Sequence, residues 1–487
     1  MQARRITPTR LRARFRAIAF VASLFCVCVA HATAYFVATN GNDAANGLST
    51  STPFHTIAHA VNVVGPGDSI DVRAGTYVES VVISRSGTAA AWIVLRAYPG
   101  EAPLWRSTGS APTLYFYHPD CDEDVIGSGS GNVDCHPLYW IVQGLTMQGS
   151  PTGGDDGYVV KIDTPQVRLQ RNRLCCSKVD IVKLVRTAND VEIRDNEIWQ
   201  DAGVVTPGAN AQGIDIVGAD RTHVIGNFVH DVPDIGIYAK GNSRNTFIEC
   251  NLLMRIGGPD NGNALMLGQS TDADRLADGN YETYDGIVRN NVVVGSTYAC
   301  LATSSSSNAR FYNNSCHDTA RTGQASIYLS NESEVGKTGS GLVFVNNVID
   351  GNAARPVVKI GSDAMSDYST LVFARNLFHV AAGAPQFYAS DFFNPIGFAQ
   401  WQSNFLQLTG HAETGLVADP LFLTTDGEMP LAIGANSPAV DAGDNAVAWV
   451  PDDYTGRPRP LGNAFDIGAY EFAGDTIFCD AFEGMTC

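Results

Sequence analysis

Apart from residues 17–30, the sequence has no long apolar run, and it has few of the motifs that mark common enzyme classes. Residues 17–30 (AIAFVASLFCVCVA) are apolar, but these 14 residues are too few to span a bilayer. No long amphipathic helical pattern is present, and this excludes a helical bundle. A Gly-rich phosphate loop, a nucleophile elbow and an HExxH motif are missing, and no CxxC or CxxH spacing occurs after residue 34. These absences count against nucleotide-phosphate binding, serine hydrolase chemistry and a sequence-encoded zinc site.

Positive charge is also scarce once an export signal is removed. Residues 1–34 hold six Arg and no acid, then a short apolar stretch, and end in Ala32-Thr33-Ala34. This order is typical of a secretory signal peptide cleaved before Tyr35. Its removal takes the net charge from −18 to −24. We therefore expect a secreted or outer-surface protein that binds neither nucleic acid nor anionic membrane, with no membrane span in the mature chain.

Nine cysteines remain after the predicted cleavage. Export makes disulfides plausible, and the two pairs with the shortest enclosed loops are Cys121–Cys135 and Cys479–Cys487. Because nine is odd, at least one thiol is left free or pairs with another chain.

A short motif recurs along the middle of the chain. An apolar, strand-like segment ends in Asn and is followed by further apolar residues, as in VRLQRNRL (167–174) and LVFVNNVI (342–349). Eight copies occur, spaced by 23 to 40 residues, and their Asn are Asn172, Asn196, Asn227, Asn251, Asn291, Asn314, Asn347 and Asn376. A unit this small cannot bury its own core, so the units must stack. Stacked turn Asn would bond each other and the neighbouring backbone.

A second strand precedes each of these segments, as in IVKLVR (181–186), GIDIVG (213–218) and GIYAKG (236–241). Aligning these strands predicts two outward columns, because strand residues alternate between faces. One column runs Lys161, Lys183, Asp215, Tyr238, Met266, and the next includes Asp163, Val217 and Lys240. We expect Asp215, Tyr238 and Lys240 to share one solvent-facing patch.

Both ends of the mature chain resemble known modules. YFV, NGNDAANG, TPFHTIAHAV and PGDSIDVRAGTY (within 35–77) resemble the start of secreted β-helix proteins of the pectate-lyase-like superfamily. DPLF (419–422), SPAVDAGD (437–444) and DIGAYE (466–471) resemble the choice-of-anchor type of C-terminal module, and IFCDAFEG (477–484) resembles a short tail motif of exported proteins.

This resemblance implies an all-β chain, a right-handed parallel β-helix with a small N-terminal helical cap running from Pro53-Phe54 to Val63. The expected organisation is a signal peptide (1–34), a cap with first coils (35–105), the β-helix body (106–418), an anchor-type module (419–472) and a tail (473–487).

The β-helix lyases that the chain resembles cleave uronic-acid polymers by β-elimination, often with calcium. Lys240 occupies a strand position similar to that of their base. Asp215, Asp231 and Asp234 resemble the acidic cluster of family 9 polysaccharide lyases, and Asn210 could join them as calcium ligands. Tyr238 and His230 are candidates for substrate contact or proton donation. The resemblance therefore implies a carbon–oxygen lyase with calcium as cofactor and an acidic polysaccharide as partner, in a monomer.

Each of these residues also has a simpler interpretation. Lys240 could be a surface lysine paired with Asp215, and the aspartates could cap turns. The following strand, NALMLGQS (263–270), has no basic residue where chondroitinase-B-type lyases have Arg. Polygalacturonase-type hydrolysis is disfavoured because no GHG or RIK pattern is present. A non-catalytic carbohydrate-binding or structural β-helix protein at the cell surface therefore stays open beside the lyase.

Overall fold

The computed structural model of the protein describes residues 32–121, 135–150, 154, 156–201, 210–259, 261–271, 276, 280–332, 336–447 and 450–474. The predicted signal peptide therefore lies outside the described residues up to His31. Within these ranges, no helix combines the length and the apolar character needed to cross a bilayer.

Three long sheets of twelve strands each wind around one apolar core. Neighbouring strands are parallel, apart from the last pair of sheet 1. The predicted right-handed parallel β-helix is confirmed. Sheet 1 contains Val81–Ile83, Leu114–Phe116, Val160–Ile162, Val182–Leu184, Ile214–Val217, Ile237–Lys240, Leu265–Gly268, Leu301–Ser304, Ile327–Ser330, Val358–Ile360, Phe387–Ala389 and Phe393–Ile396.

The chain passes from each strand of sheet 1 to sheet 2 and then to sheet 3. Sheet 2 contains Ala34–Val37, Ser69–Val72, Ile93–Ala97, Trp140–Gln143, Val167–Gln170, Glu192–Arg194, His223–Ile225, Phe247–Glu249, Ile287–Arg289, Arg310–Tyr312, Val343–Val345 and Val372–Ala374. Sheet 3 contains Thr76–Val78, Leu104–Arg106, Thr146–Gln148, Arg173–Cys175, Glu197–Trp199, Phe228–His230, Leu252–Ile256, Val292–Ser296, Ser315–Thr319, Val348–Gly351, Leu377–Val380 and Leu416–Val417. A small sheet of Ser243–Arg244, Thr283–Tyr284 and Ser306–Ser307 lies beside them.

Each coil has three strands, whereas the sequence pattern predicted two. The motif around each Asn is two strands rather than one, because the residue before the Asn turns the chain. That residue takes a positive φ in every copy, from 51° to 66°. In the first copy the turn at Arg171 and Asn172 separates Val167–Gln170 from Arg173–Cys175. The apolar residues after the Asn therefore start sheet 3.

The eight Asn form the predicted ladder. The backbone N–H and the side-chain Nδ2 of each Asn both donate to Oδ1 of the next, at 2.9–3.1 Å. All eight side chains are buried. Buried amides need hydrogen-bond partners, and the ladder supplies them at each of these turns. The same bonds fix the register of successive coils.

Helices cover both ends of the described core. Helix α1 (Ile57–Val63) begins after Thr56, whose side chain accepts from the His59 N–H. It starts later than expected because Phe54 is held in a bridge with Val37. Helix α2 (Phe398–Thr409) packs Trp401 and Phe405 against the last coils, and no sequence pattern predicted it.

The residues of the resembled C-terminal module lie against the side of the solenoid. The Asn just before a ladder Asn reaches out to it in three coils: Asn290 donates to the Asp452 carbonyl, Asn313 to Asp466 and Asn346 to Asp444. Inside the module, Arg459 and Glu471 form a buried ion pair at 2.5 Å.

The disulfide Cys121–Cys135 is confirmed. Cys175–Cys176 and Cys300–Cys316 are also bonded, and Cys250 is disulfide-bonded as well. The predicted Cys479–Cys487 pair lies outside the described residues.

We expect Asn251→Ala to lower the free energy of unfolding by about 3 kcal/mol, because it leaves buried partners of a multiply bonded amide unsatisfied. Urea unfolding followed by circular dichroism measures this. The exposed Asn62→Ala is the control and should unfold like the wild type. Equal stability of Asn251→Ala and wild type would mean that the ladder does not stabilise the solenoid.

Candidate functional site

The predicted outward column of sheet 1 is confirmed by strand register. Lys161 pairs with Lys183, Lys183 with Asp215, Asp215 with Tyr238 and Tyr238 with Met266, each on the next coil. Val217 likewise pairs with Lys240 in the second column. Side chains that are far apart in sequence therefore lie one strand spacing apart.

The expectation that this patch faces solvent is wrong for Asp215 and Tyr238, whereas Lys240 is half-buried. Asp215 is 2% exposed, Tyr238 3% and Met266 1%. The connections from sheet 3 back to sheet 1 fold over the column, and Ile235 and Ala299 pack on Tyr238 and Met266. Sequence alternation reports the direction of a side chain from its sheet, but it does not report what later covers that side chain.

Lys183, rather than Lys240, is the ion-pair partner of Asp215. Its ammonium donates to Oδ2 of Asp215 and lies 3.4 Å from Oδ2 of Asp180. Burial alone would lower the pKa of Lys183, but the charges of Asp215 and Asp180 outweigh burial and raise that pKa above its ordinary value. Lys183 therefore stays protonated and holds the two carboxylates in place.

Three buried oxygens beside this ion pair have no hydrogen-bond partner: Oδ1 of Asp215, Oδ1 of Asp234 and Oε1 of Gln212. Gln212 links two of the acids, Asp180 and Asp234. Its Nε2 donates to Oδ2 of Asp234 at 2.9 Å, and its N–H donates to Oδ1 of Asp180. Its Nε2 also donates to Asn210. Buried polar atoms without partners are uncommon and costly. We call Asp180, Lys183, Gln212, Asp215 and Asp234 the acidic group.

Burial makes ionisation of this group unfavourable. It raises the pKa of Asp180 to about 7, with a further contribution from the charge of Asp215. It raises the pKa of Asp234 to about 6, again with Asp215 contributing. The group has one ammonium, that of Lys183, against three carboxyl groups. A further cation would therefore favour the ionised form of these carboxyl groups.

Lys240 lies beside the acidic group rather than in an ion pair with Asp215. Its ammonium is 4.7 Å from the centre of the Tyr238 ring, and its charge acts on Asp234 and Glu282. The Tyr238 hydroxyl donates to the Gln269 carbonyl at 2.7 Å. Burial, followed by the charge of Asp215, raises the pKa of Tyr238 well above its ordinary value.

The structure does not bring Asp231 or His230 to the acidic group. His230 ends a strand of sheet 3, and Asp231 follows it at a φ of 53°. Arg255 binds both oxygens of Asp231, and His230 lies 2.6 Å from the same carboxylate. The ligand atoms of Asp215, Asp231 and Asp234 do not form a set within 4.8 Å of one another.

A polar cavity of about 300 Å³ continues the site over the following coils of sheet 1. Asn261 lines it and lies close enough to Asp234 to lower the pKa of that carboxyl group. The cavity is lined by amides, hydroxyls and two tyrosines, including Asn263, Gln269, Tyr298, Tyr328 and Glu332. Such a lining suits the hydroxyl groups of a sugar.

The sequence comparisons are limited to one short segment. Residues 39–82 match a family described only as a protein of unknown function, DUF1565. No curated protein matches the chain.

Solved structures define the class of the fold. Pectate lyase Pel9A superposes with a TM-score of 0.59 at 16% identity, over 90% of this chain and 96% of that one. The A-module of a mannuronan C-5 epimerase from Azotobacter vinelandii gives 0.46 at 12%, over 74% and 93%, and an alginate lyase from Paenibacillus gives 0.40 at 16%, over 69% and 95%. The superposition on Pel9A identifies the fold as a parallel β-helix of the pectate-lyase-like kind. At these identities the likeness concerns the fold alone.

Sequence reasoning named Asp215 and Asp234 but gave no role to Asp180, Lys183 or Gln212. Lys183 could have been found, because the aligned column already placed it next to Asp215. Asp180 and Gln212 each lie two residues before their strands, whose first residues, Val182 and Ile214, are paired. Extending the strand alignment by two residues would therefore have placed them together.

The raised pKa of Asp234 predicts a pH-dependent stability. Protonated Asp234 suits its buried site, so its stabilisation should be complete below pH 4 and be lost as pH rises to about 6. Without divalent cations, Asp234→Asn should remove about 3 kcal/mol of this decline, because each pKa unit corresponds to about 1.4 kcal/mol. Urea unfolding at a series of pH values measures it, with the exposed Asp426→Asn as control. Identical pH profiles for wild type and Asp234→Asn would contradict the assignment.

Proposed function

We propose that this protein is an exported polysaccharide lyase that uses calcium to cleave an acidic, uronic-acid-containing polymer. The observation that carries the proposal is the set of three unpartnered buried oxygens on Asp215, Asp234 and Gln212, next to a polar cavity on sheet 1. The pectate-lyase-like fold agrees with this activity but does not establish it.

The donor set fits calcium. Calcium prefers six to eight oxygen ligands from carboxylates, amide carbonyls and water. Asp215, Asp234 and Gln212 would supply three of these, and water or a substrate carboxylate would supply the rest. Asp231, already held by Arg255, is not part of this set.

Calcium, when bound, would neutralise the uronic carboxylate and so acidify the neighbouring C–H. Lys240 would accept the proton from that carbon. The C–O bond to the leaving sugar then breaks, a C=C bond forms and the leaving oxygen takes a proton from water. Lys183 keeps its proton and orients Asp215, and Tyr238 supports the Lys240 side chain through its ring.

A second candidate is calcium-dependent polysaccharide binding without catalysis. Two observations favour it: Lys183 already balances part of the charge on Asp215 and Asp180, and Met266 rather than a basic residue follows Tyr238 in the outward column. The cavity could then hold a chain without cleaving it.

The direct test is incubation of the mature protein with pectate, alginate and glycosaminoglycans, with calcium or with a chelator. The ultraviolet absorbance of the unsaturated uronic product should rise with calcium only. Lys240→Ala should lower the initial rate by more than about 100-fold, because the base is lost. Lys178→Ala, an exposed lysine, is the control.

Absence of product on every polymer would contradict the lyase. Affinity electrophoresis in gels containing the same polymers then decides the second candidate. Calcium-dependent retardation that Asp234→Asn removes would support binding without catalysis, and no retardation would exclude both functions for these polymers.

A further inference from the structure

Two histidines and an aspartate converge at the connection from sheet 1 to sheet 2, away from the acidic group. His118 and Asp120 follow the strand Leu114–Phe116, and His136 precedes the strand Trp140–Gln143. One ligand atom from each of the three side chains lies within 4.8 Å of the others. Among the residues that the structure describes, this is the one group of three or more His, Cys, Asp or Glu that meets this limit.

The Cys121–Cys135 disulfide builds this group. Asp120 directly precedes Cys121, and His136 directly follows Cys135. The bond holds the two Cα atoms 5.2 Å apart, so it brings together side chains from the two ends of a loop. The imidazole rings stack at 4.1 Å with an angle of 15° between their planes.

Each imidazole has one ring nitrogen held by a hydrogen bond. Nδ1 of His118 accepts from the Asp120 N–H at 3.2 Å. One nitrogen of His136 is fixed by Ser86, with Nε2 at 2.8 Å from the hydroxyl. Such a bond leaves the other ring nitrogen free and sets its direction.

We propose that His118, His136 and Asp120 form a binding site for a divalent transition metal, Zn²⁺ or Cu²⁺. Imidazole nitrogens select these ions over calcium, which prefers oxygens. Once one of the two stacked rings rotates so that both face the same point, two imidazoles and one carboxylate would fill three positions of the metal. A fourth position would stay open to water or an outside ligand. The metal would join the two ends of the disulfide loop a second time. This site is independent of the proposed calcium-dependent function.

The test uses the full mature chain, stripped of metal by a chelator and then dialysed. Titration calorimetry with Zn²⁺ should give one site per chain in the presence of excess Ca²⁺. His136→Ala and His118→Ala should each weaken Zn²⁺ binding by more than about tenfold. His55→Ala, an exposed histidine elsewhere, should bind like the wild type.

Electron paramagnetic resonance of the Cu²⁺-loaded protein gives a second readout. Splitting from two imidazole nitrogens is expected in the wild type and from one nitrogen in His136→Ala. The double variant Cys121→Ser/Cys135→Ser should bind Zn²⁺ more weakly while keeping all three ligands. Absence of Zn²⁺ binding, or binding that neither histidine variant weakens, would overturn the proposal whether or not the protein cleaves polysaccharide.

Discussion

The hydrogen-bonded stack of buried Asn side chains is the constraint on which the rest of this structure depends. Each turn between sheets 2 and 3 that carries a ladder Asn buries polar backbone, and that Asn bonds it. Every ladder Asn after Asn172 also accepts two hydrogen bonds from the Asn of the preceding coil. Because the amides repeat at the strand spacing of about 4.8 Å, they fix the register of all three sheets. The interior follows the same repeat, with Phe311, Phe344 and Phe373 stacked at 4.6 and 4.7 Å.

The acidic group is a consequence of that register. Lys183 and Asp215 are 32 residues apart but adjacent across two strands, so an ion pair forms without any local sequence motif. The connections between the sheets then bury Asp180 and Asp234 as well, and burial disfavours the ionised form of their carboxyl groups. Elsewhere in the solenoid the polar turns have hydrogen-bond partners. At the acidic group, buried oxygens lack them, and a cation bound there would offset the free-energy cost of their burial.

The fold was predictable because its information is repeated: eight Asn and strict alternation specify the stack and its outward columns. The third strand of each coil was missed, since a single positive-φ residue before the Asn makes the turn. The burial of Asp215 and Tyr238 depends on connections of irregular length, and these carry no repeat. The His118–His136 pair escaped metal-motif reasoning because its spacing matches no zinc pattern, although the predicted Cys121–Cys135 disulfide, flanked by HPD and H, would have placed the two histidines together.

The central claim is that the unpartnered oxygens of Asp215, Asp234 and Gln212 bind a cation. Anomalous diffraction from crystals of the protein soaked in a terbium salt, a common substitute for calcium, tests this most directly. The account predicts one strong anomalous peak within coordination distance of Asp215 Oδ1, Asp234 Oδ1 and Gln212 Oε1. No peak at these atoms, with the side chains ordered as described, would contradict it and would leave the acidic group as an internal ion-pair network centred on Lys183.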